Sequence, residues 1–170
     1  MTTWWRKVSL TAHILASVGW LGAVAAFLAL AIVGLRNADI QIVRSAYIAT
    51  DSVTWLVIVP LAFASMATGL LVSLTTPWGL SRHYWVLVKL ILSVLATTLL
   101  LVHTGPIGML ATAARATPFD GPEIGSMQVQ LVVDAGAAIA ALLVNVVLSV
   151  FKPQGMTAYG WRKSRQERLA

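Results

Sequence analysis

Residues 8–35 read VSLTAHILASVGWLGAVAAFLALAIVGL, an apolar run in which His13 is the only ionisable side chain. An α-helix rises about 1.5 Å per residue, so roughly 20 such residues cross the hydrocarbon of a bilayer. Arg6 and Lys7 precede the run as they would precede a secretory signal. Signal segments, however, have apolar cores of only about 7–15 residues, so this stretch reads as a membrane-spanning helix. Three further windows, 50–75, 84–110 and 129–151, meet the same length and composition test. The expected fold is therefore all-α: a polytopic membrane protein built as an antiparallel four-transmembrane-helix bundle over residues 1–151. A basic tail, 152–170, follows.

Composition supports this class. Of 170 residues, 58% are hydrophobic and 11% charged, and the mean hydropathy is +0.82. Soluble domains devote about a quarter of their residues to charge, and a water-soluble chain of this composition would carry a large sticky surface. A soluble enzyme, a disordered tail and a secreted disulfide scaffold are thereby excluded. The absence of cysteine removes thiolate metal sites, thiol nucleophiles, iron–sulfur ligation and disulfides together.

The net charge of +6 is concentrated at the ends of the apolar runs, where it sets orientation rather than binding nucleic acid. Arg6, Lys7, Arg82, Lys152, Arg162, Lys163, Arg165 and Arg168 fall on the face shared by both termini and the loop 76–83. Arg36, Arg44 and Arg115 fall on the other face. This imbalance predicts cytoplasmic termini in a bacterial plasma membrane, with anionic lipid headgroups as the partner of the basic ends. Pro118, Gly121 and Pro122 break the chain between the third and fourth spans, and Pro60 is expected to kink the second. The tail, with Trp161 beside Arg162 and Lys163, suits an interfacial anchor or an amphipathic docking helix.

Polar and ionisable residues inside spans are costly and mark sites by default. They divide into two levels. His13, Lys89 and Asn145 lie near the face that carries the termini, while Asp51, His103 and Asp134 lie toward the other. Helical phase aligns Lys89 with His103, Asp134 with Asn145, and His13 with Ser17 and Trp20, giving each helix one polar or small-residue face. Each residue also has a plainer reading. His13 suits a neutral core histidine bonded to a carbonyl or to Ser17, Lys89 can snorkel to headgroups, and Asp51 can cap its helix. His83 belongs with Tyr84 and Trp85 in an interfacial belt.

Four-helix bundles commonly hold haem or metals between inward side chains. The inner level offers His13 as an axial ligand to haem iron, with Lys89 as second ligand or as partner of a propionate, and Ser17 and Trp20 beside it. Without cysteine such a haem is bound noncovalently. The outer level offers His103, Asp51 and Asp134 as a cation or metal set, or as a proton relay.

The stretches Thr11–Ala12–His13, Gly19–Trp20–Leu21–Gly22, Thr76–Pro77–Trp78–Gly79–Leu80 and Arg82 through Lys89 resemble an uncharacterised actinobacterial family of four-helix membrane proteins, a domain of unknown function. The layout is more remotely similar to HemJ-type protoporphyrinogen oxidases and to CopD-type copper-resistance membrane domains. His13 with Trp20 and Gly22, and Trp85 with Lys89, correspond to motifs of the HemJ type. That resemblance implies b-type haem on the histidine and lysine, and an oxidoreductase activity with quinone or another redox partner as electron acceptor. The spacing of Trp20 and Gly22 and the placement of His103 depart from the HemJ pattern, which weakens the activity more than the haem. Three functions stand as expectations: a haem-b-binding or redox-linked protein, a transporter of copper or another small cation, and a noncatalytic structural membrane subunit whose polar residues only fix helix packing; a homo-oligomer is a further expectation.

Overall fold

A computed structural model describes residues 3–75, 80–116, 118–119, 121–153 and 155–169. Four helices are long and apolar enough to cross a membrane: Trp4–Arg36, Ile40–Thr75, Tyr84–Arg115 and Ile124–Phe151. Their outward faces are lined by side chains such as Leu56, 77% exposed, and Phe151, 76% exposed. Such a surface is stable against lipid and not against water. The chain is an all-α bundle of the multi-pass membrane type.

The first crossing is α1 (Thr3–Arg36). The second begins at Ile40, well before the expected start at residue 50, and comprises α2 (Ile40–Val53), a π-helical turn (Thr54–Ile58) and α3 (Val59–Thr75). The polar residues Gln41, Arg44 and Ser45 gave this region the look of a loop. They lie on one side of a helix that buries Val43, Ala46, Tyr47 and Thr50 on the other. Asp39 caps α2, its Oδ1 accepting from Gln41 N at 2.8 Å. Asp51 therefore lies within the second crossing and does not open it. The π turn immediately precedes Pro60, whose missing N–H and ring disturb the ladder at that point.

The third crossing, α4 (Tyr84–Arg115), runs through Pro106 and past residue 110. The fourth, α5 (Ile124–Phe151), starts before residue 129. The expected break around Pro118, Gly121 and Pro122 falls between these two helices. Beyond α5 the tail forms a short helix, α6 (Ala158–Leu169). Thr157 Oγ1 donates to Ser81 O at 2.6 Å, and Tyr84 N donates to Gly155 O at 3.3 Å, fastening the tail to the segment that leads into α4. Of the sequence stretch 76–80 quoted above, 76–79 lie outside the described residues.

Helix α1 packs on α2, α3 and α5, while α4 packs on α2, α3 and α5, so α1 and α4 take opposite corners of a square. The buried apolar cluster runs from Trp20 to Ala31 on α1 and includes Tyr47, Ile58, Ala62, Ala96, Leu110, Leu131 and Leu142. It fills the half of the bundle away from the termini. Close helix approach there depends on Gly34, where a Cβ would lie 2.5 Å from Tyr47 Cζ.

Candidate functional site

In the other half, near the face that carries the termini, the bundle core gives way to a cavity of about 860 Å³. His13 of α1 and Lys89 of α4 both line it, from diagonally opposed helices. Ser65, Met66 and Gly69 of α3, and Ser93 of α4 and Ser149 of α5, contribute further wall. From Trp85 to Ser93 the α4 wall spans about 12 Å at the helical rise.

His13 is held in a defined orientation. Its Nδ1 lies 3.1 Å from Ser65 O and 3.2 Å from Thr68 Oγ1. The Thr68 hydroxyl spends its hydrogen on Ala64 O at 2.6 Å, so it meets the imidazole as an acceptor. Facing two acceptors, Nδ1 carries the ring proton and donates, which leaves the lone pair on Nε2. Gly69 makes this position available, because a Cβ there would come within 2.9 Å of His13 Cε1. Ser17, expected beside His13, bonds Ser65 Oγ at 2.8 Å and so braces the α1–α3 contact.

Lys89 Nζ donates to Ser149 Oγ, and Ser149 in turn donates to Asn145 O at 2.8 Å. The ammonium also stands 5.9 Å from the centre of the Trp85 ring, within cation–π range. Asn145 Nδ2 donates to Ser93 Oγ at 3.1 Å, completing a polar strip between α4 and α5. His83 is more than part of an interfacial belt. It pairs with Met156 through an isolated backbone bridge and lines the cavity.

Trp20 does not join this site. It lines a second cavity of about 60 Å³, in the half away from the termini, together with His103 and Asp134. There His103 Nδ1 donates to Leu99 O at 2.8 Å, and Nε2 lies 3.0 Å from Asp134 Oδ2 and 3.0 Å from Gln130 Nε2. Asp51 stands apart, its Oδ2 4.0 Å from an Arg115 nitrogen. Two of the three outer residues are thus brought together and the third pairs elsewhere. Among the described residues, no three His, Asp or Glu side chains gather closely enough to hold a metal ion.

Sequence reasoning missed Ser65, Thr68 and Ser149 as the partners that orient His13 and Lys89. No protein-family model, curated protein or solved structure matches this chain. The resemblances to the actinobacterial family and to HemJ- and CopD-type proteins gain no support from those comparisons, and what stands is a four-helix membrane-type chain.

Proposed function

We propose that the cavity near the termini binds haem b noncovalently, with His13 Nε2 as axial ligand to the iron. The observation that carries this reading is the Nδ1–H of His13 donating to Ser65 O, since metal-binding histidines characteristically donate their other ring N–H to a carbonyl or carboxylate. The volume of about 860 Å³ lies within the usual range for cofactor sites, about 300–1,000 Å³. With no cysteine in the chain, no thioether attachment is available, which excludes a c-type haem, and the b type follows the HemJ resemblance. Bound iron would supply one-electron chemistry. His13 would hold the group at the iron, and Leu10, Ile14, Leu70 and Leu90 would pack against its apolar surface.

Lys89 is better suited to a propionate than to the iron, because its Nζ already donates to Ser149 Oγ and stands over the Trp85 ring. An oxidoreductase of the HemJ type, with quinone as acceptor, is the enzymatic version of this reading and rests on the resemblance alone. Cytoplasmic termini would place the cavity at the inner leaflet, by the excess of Lys and Arg on that face. The cation-transport alternative is less well supported, because among the described residues the large cavity is lined by basic groups and no acidic ones.

The test is a reduced-minus-oxidised visible spectrum of the detergent-purified protein after expression with ample haem supply. The proposal expects a Soret band with a b-type α-band. A featureless spectrum would overturn it and leave the structural-subunit reading in its place.

A further inference from the structure

We infer that His103 of α4 and Asp134 of α5 form a proton-binding site, with one exchangeable proton held between imidazole Nε2 and carboxyl Oδ2 at the wall of the small cavity. The site lies in the half of the bundle away from the termini and uses none of the residues assigned to haem.

The hydrogen count carries the inference. His103 Nδ1 lies 2.8 Å from Leu99 O, an atom that can only accept, so Nδ1 bears a hydrogen. On a neutral ring Nε2 then presents a lone pair, and it faces Asp134 Oδ2 at 3.0 Å. An ionised carboxylate would set a second lone pair against the first. Oδ2 is also buried, and apart from the ring it has no hydrogen-bond partner among the described residues. A proton between the two atoms removes both conflicts, whether an imidazolium donates to a carboxylate or a carboxylic acid donates to an imidazole. Gln130 Nε2, 3.0 Å from the same ring nitrogen, fits either form. Its amide donates to the neutral ring, or turns to present Oε1 to the imidazolium.

Charge leads to the same place. His103 and Asp134 are the only titratable groups that line the small cavity among the described residues. Helix α1 carries no ionisable residue between His13 and Arg36, and α3 carries none at all. Asp51 of α2 and Arg115 of α4 face one another at 4.0 Å. An ionised Asp134 beside a neutral imidazole would leave an unbalanced negative charge in a wall built from Trp20, Phe27, Leu131 and Ala138. One proton makes the pair neutral overall.

The site is also open to exchange. The Asp134 side chain is 26% exposed, and the cavity of about 60 Å³ exceeds the roughly 10–15 Å³ that one water molecule needs. Water reaching the carboxyl group takes the proton away as hydronium and leaves the pair with a net negative charge. The reverse transfer restores neutrality, and no electron moves. Intramembrane histidines and carboxylates commonly serve such proton steps.

The test uses the full chain in nanodiscs at neutral pH, with no haem added, so its result is independent of His13 as an iron ligand. Histidine labelled at its ring nitrogens is read by magnetic resonance, and His103→Gln assigns the signals of this ring. Infrared absorption of the wild-type chain and of Asp134→Asn reads the carboxyl group. Labelling the aspartate carboxyl carbons shifts the same band in the wild-type chain, so the assignment does not hang on the folding of the variant. The expected result is one of two signatures. Either both ring nitrogens of His103 bear hydrogen, or a protonated carboxylic-acid band is present that Asp134→Asn removes. In heavy water that signal should pass to deuterium while the backbone amides of α4 and α5 remain protonated. A bare Nε2 together with no acid band dependent on Asp134 would overturn the inference. So would a proton that exchanges only as fast as those backbone amides, since it would then be a fixed part of the packing.

Discussion

His13 Nδ1 on α1 lies 3.1 Å from the carbonyl oxygen of Ser65 on α3, across fifty-two residues of sequence. A backbone carbonyl in a helix normally accepts only within its own ladder, and its second lone pair is here given to an imidazole. The contact fixes both the tautomer and the plane of the ring, so that position 13 presents a basic nitrogen of known identity in the wall of a cavity.

The Thr68 hydroxyl is the other acceptor that His13 faces, at 3.2 Å. Thr68→Val keeps the shape and removes that oxygen. Haem affinity should fall by about tenfold or more, the usual cost of losing an outer partner of a ligating histidine. Haem titration followed at the Soret band checks this.

Gly69 is where the His13 ring rests, so a side chain at that position must move it. Gly69→Val should abolish or shift the haem spectrum, while Gly22→Val, where a Cβ meets nothing within 4 Å, should leave it unchanged. Equal spectra for the two variants would count against the observed position of His13.

The approach of α1 to α2 depends on Gly34 lying against the buried Tyr47 ring. Gly34→Val should lower stability by about 1–3 kcal/mol through overpacking, and Tyr47→Leu in the same chain should restore part of it. Thermal unfolding in detergent reads both variants.

His103 Nε2 and Asp134 Oδ2 lie 3.0 Å apart, with side chains 16% and 26% exposed. Asp134→Leu alone should cost about 1–3 kcal/mol by removing the carboxylate that faces His103 Nε2. Replacing both residues with leucine should cost less than the sum of the single changes, because buried pairs are replaced by apolar residues more cheaply than they are broken. A double-mutant cycle in unfolding free energy measures the difference.

Gly160 packs so closely on the Arg82 carbonyl that a Cβ has no room there. Gly160→Ala should release α6 from the segment before α4. Hydrogen exchange over 155–169 should accelerate while the melting of the four crossings stays unchanged.

The four crossings were legible because length and apolarity suffice to identify them, and the polar faces of α1 and α4 followed from phase. The start of the second crossing was not legible, because α2 is amphipathic where it leaves the hydrocarbon, and its polar side imitates a loop. Grouping of the site residues was harder still. Phase placed His13, Ser17 and Trp20 on one face of α1, yet a full turn and more along the axis separates the large cavity, reached by His13, from the small one, reached by Trp20. The partners of His13 and Lys89 are hydroxyls and a carbonyl, and sequence carries no signal that tells such a serine from one bonded only to its own helix. Asp51 looked like part of an acidic cluster until its helix was extended by more than two turns and Arg115 was brought within 4.0 Å.

The most direct test of the central claim is chemical rescue at position 13. His13→Gly, purified with haem and examined by visible absorption before and after addition of free imidazole, removes the ligand while leaving the cavity. The account predicts loss of the b-type spectrum in the variant and its return when imidazole occupies the vacated space. A b-type spectrum that survives His13→Gly unchanged, without imidazole, would contradict it.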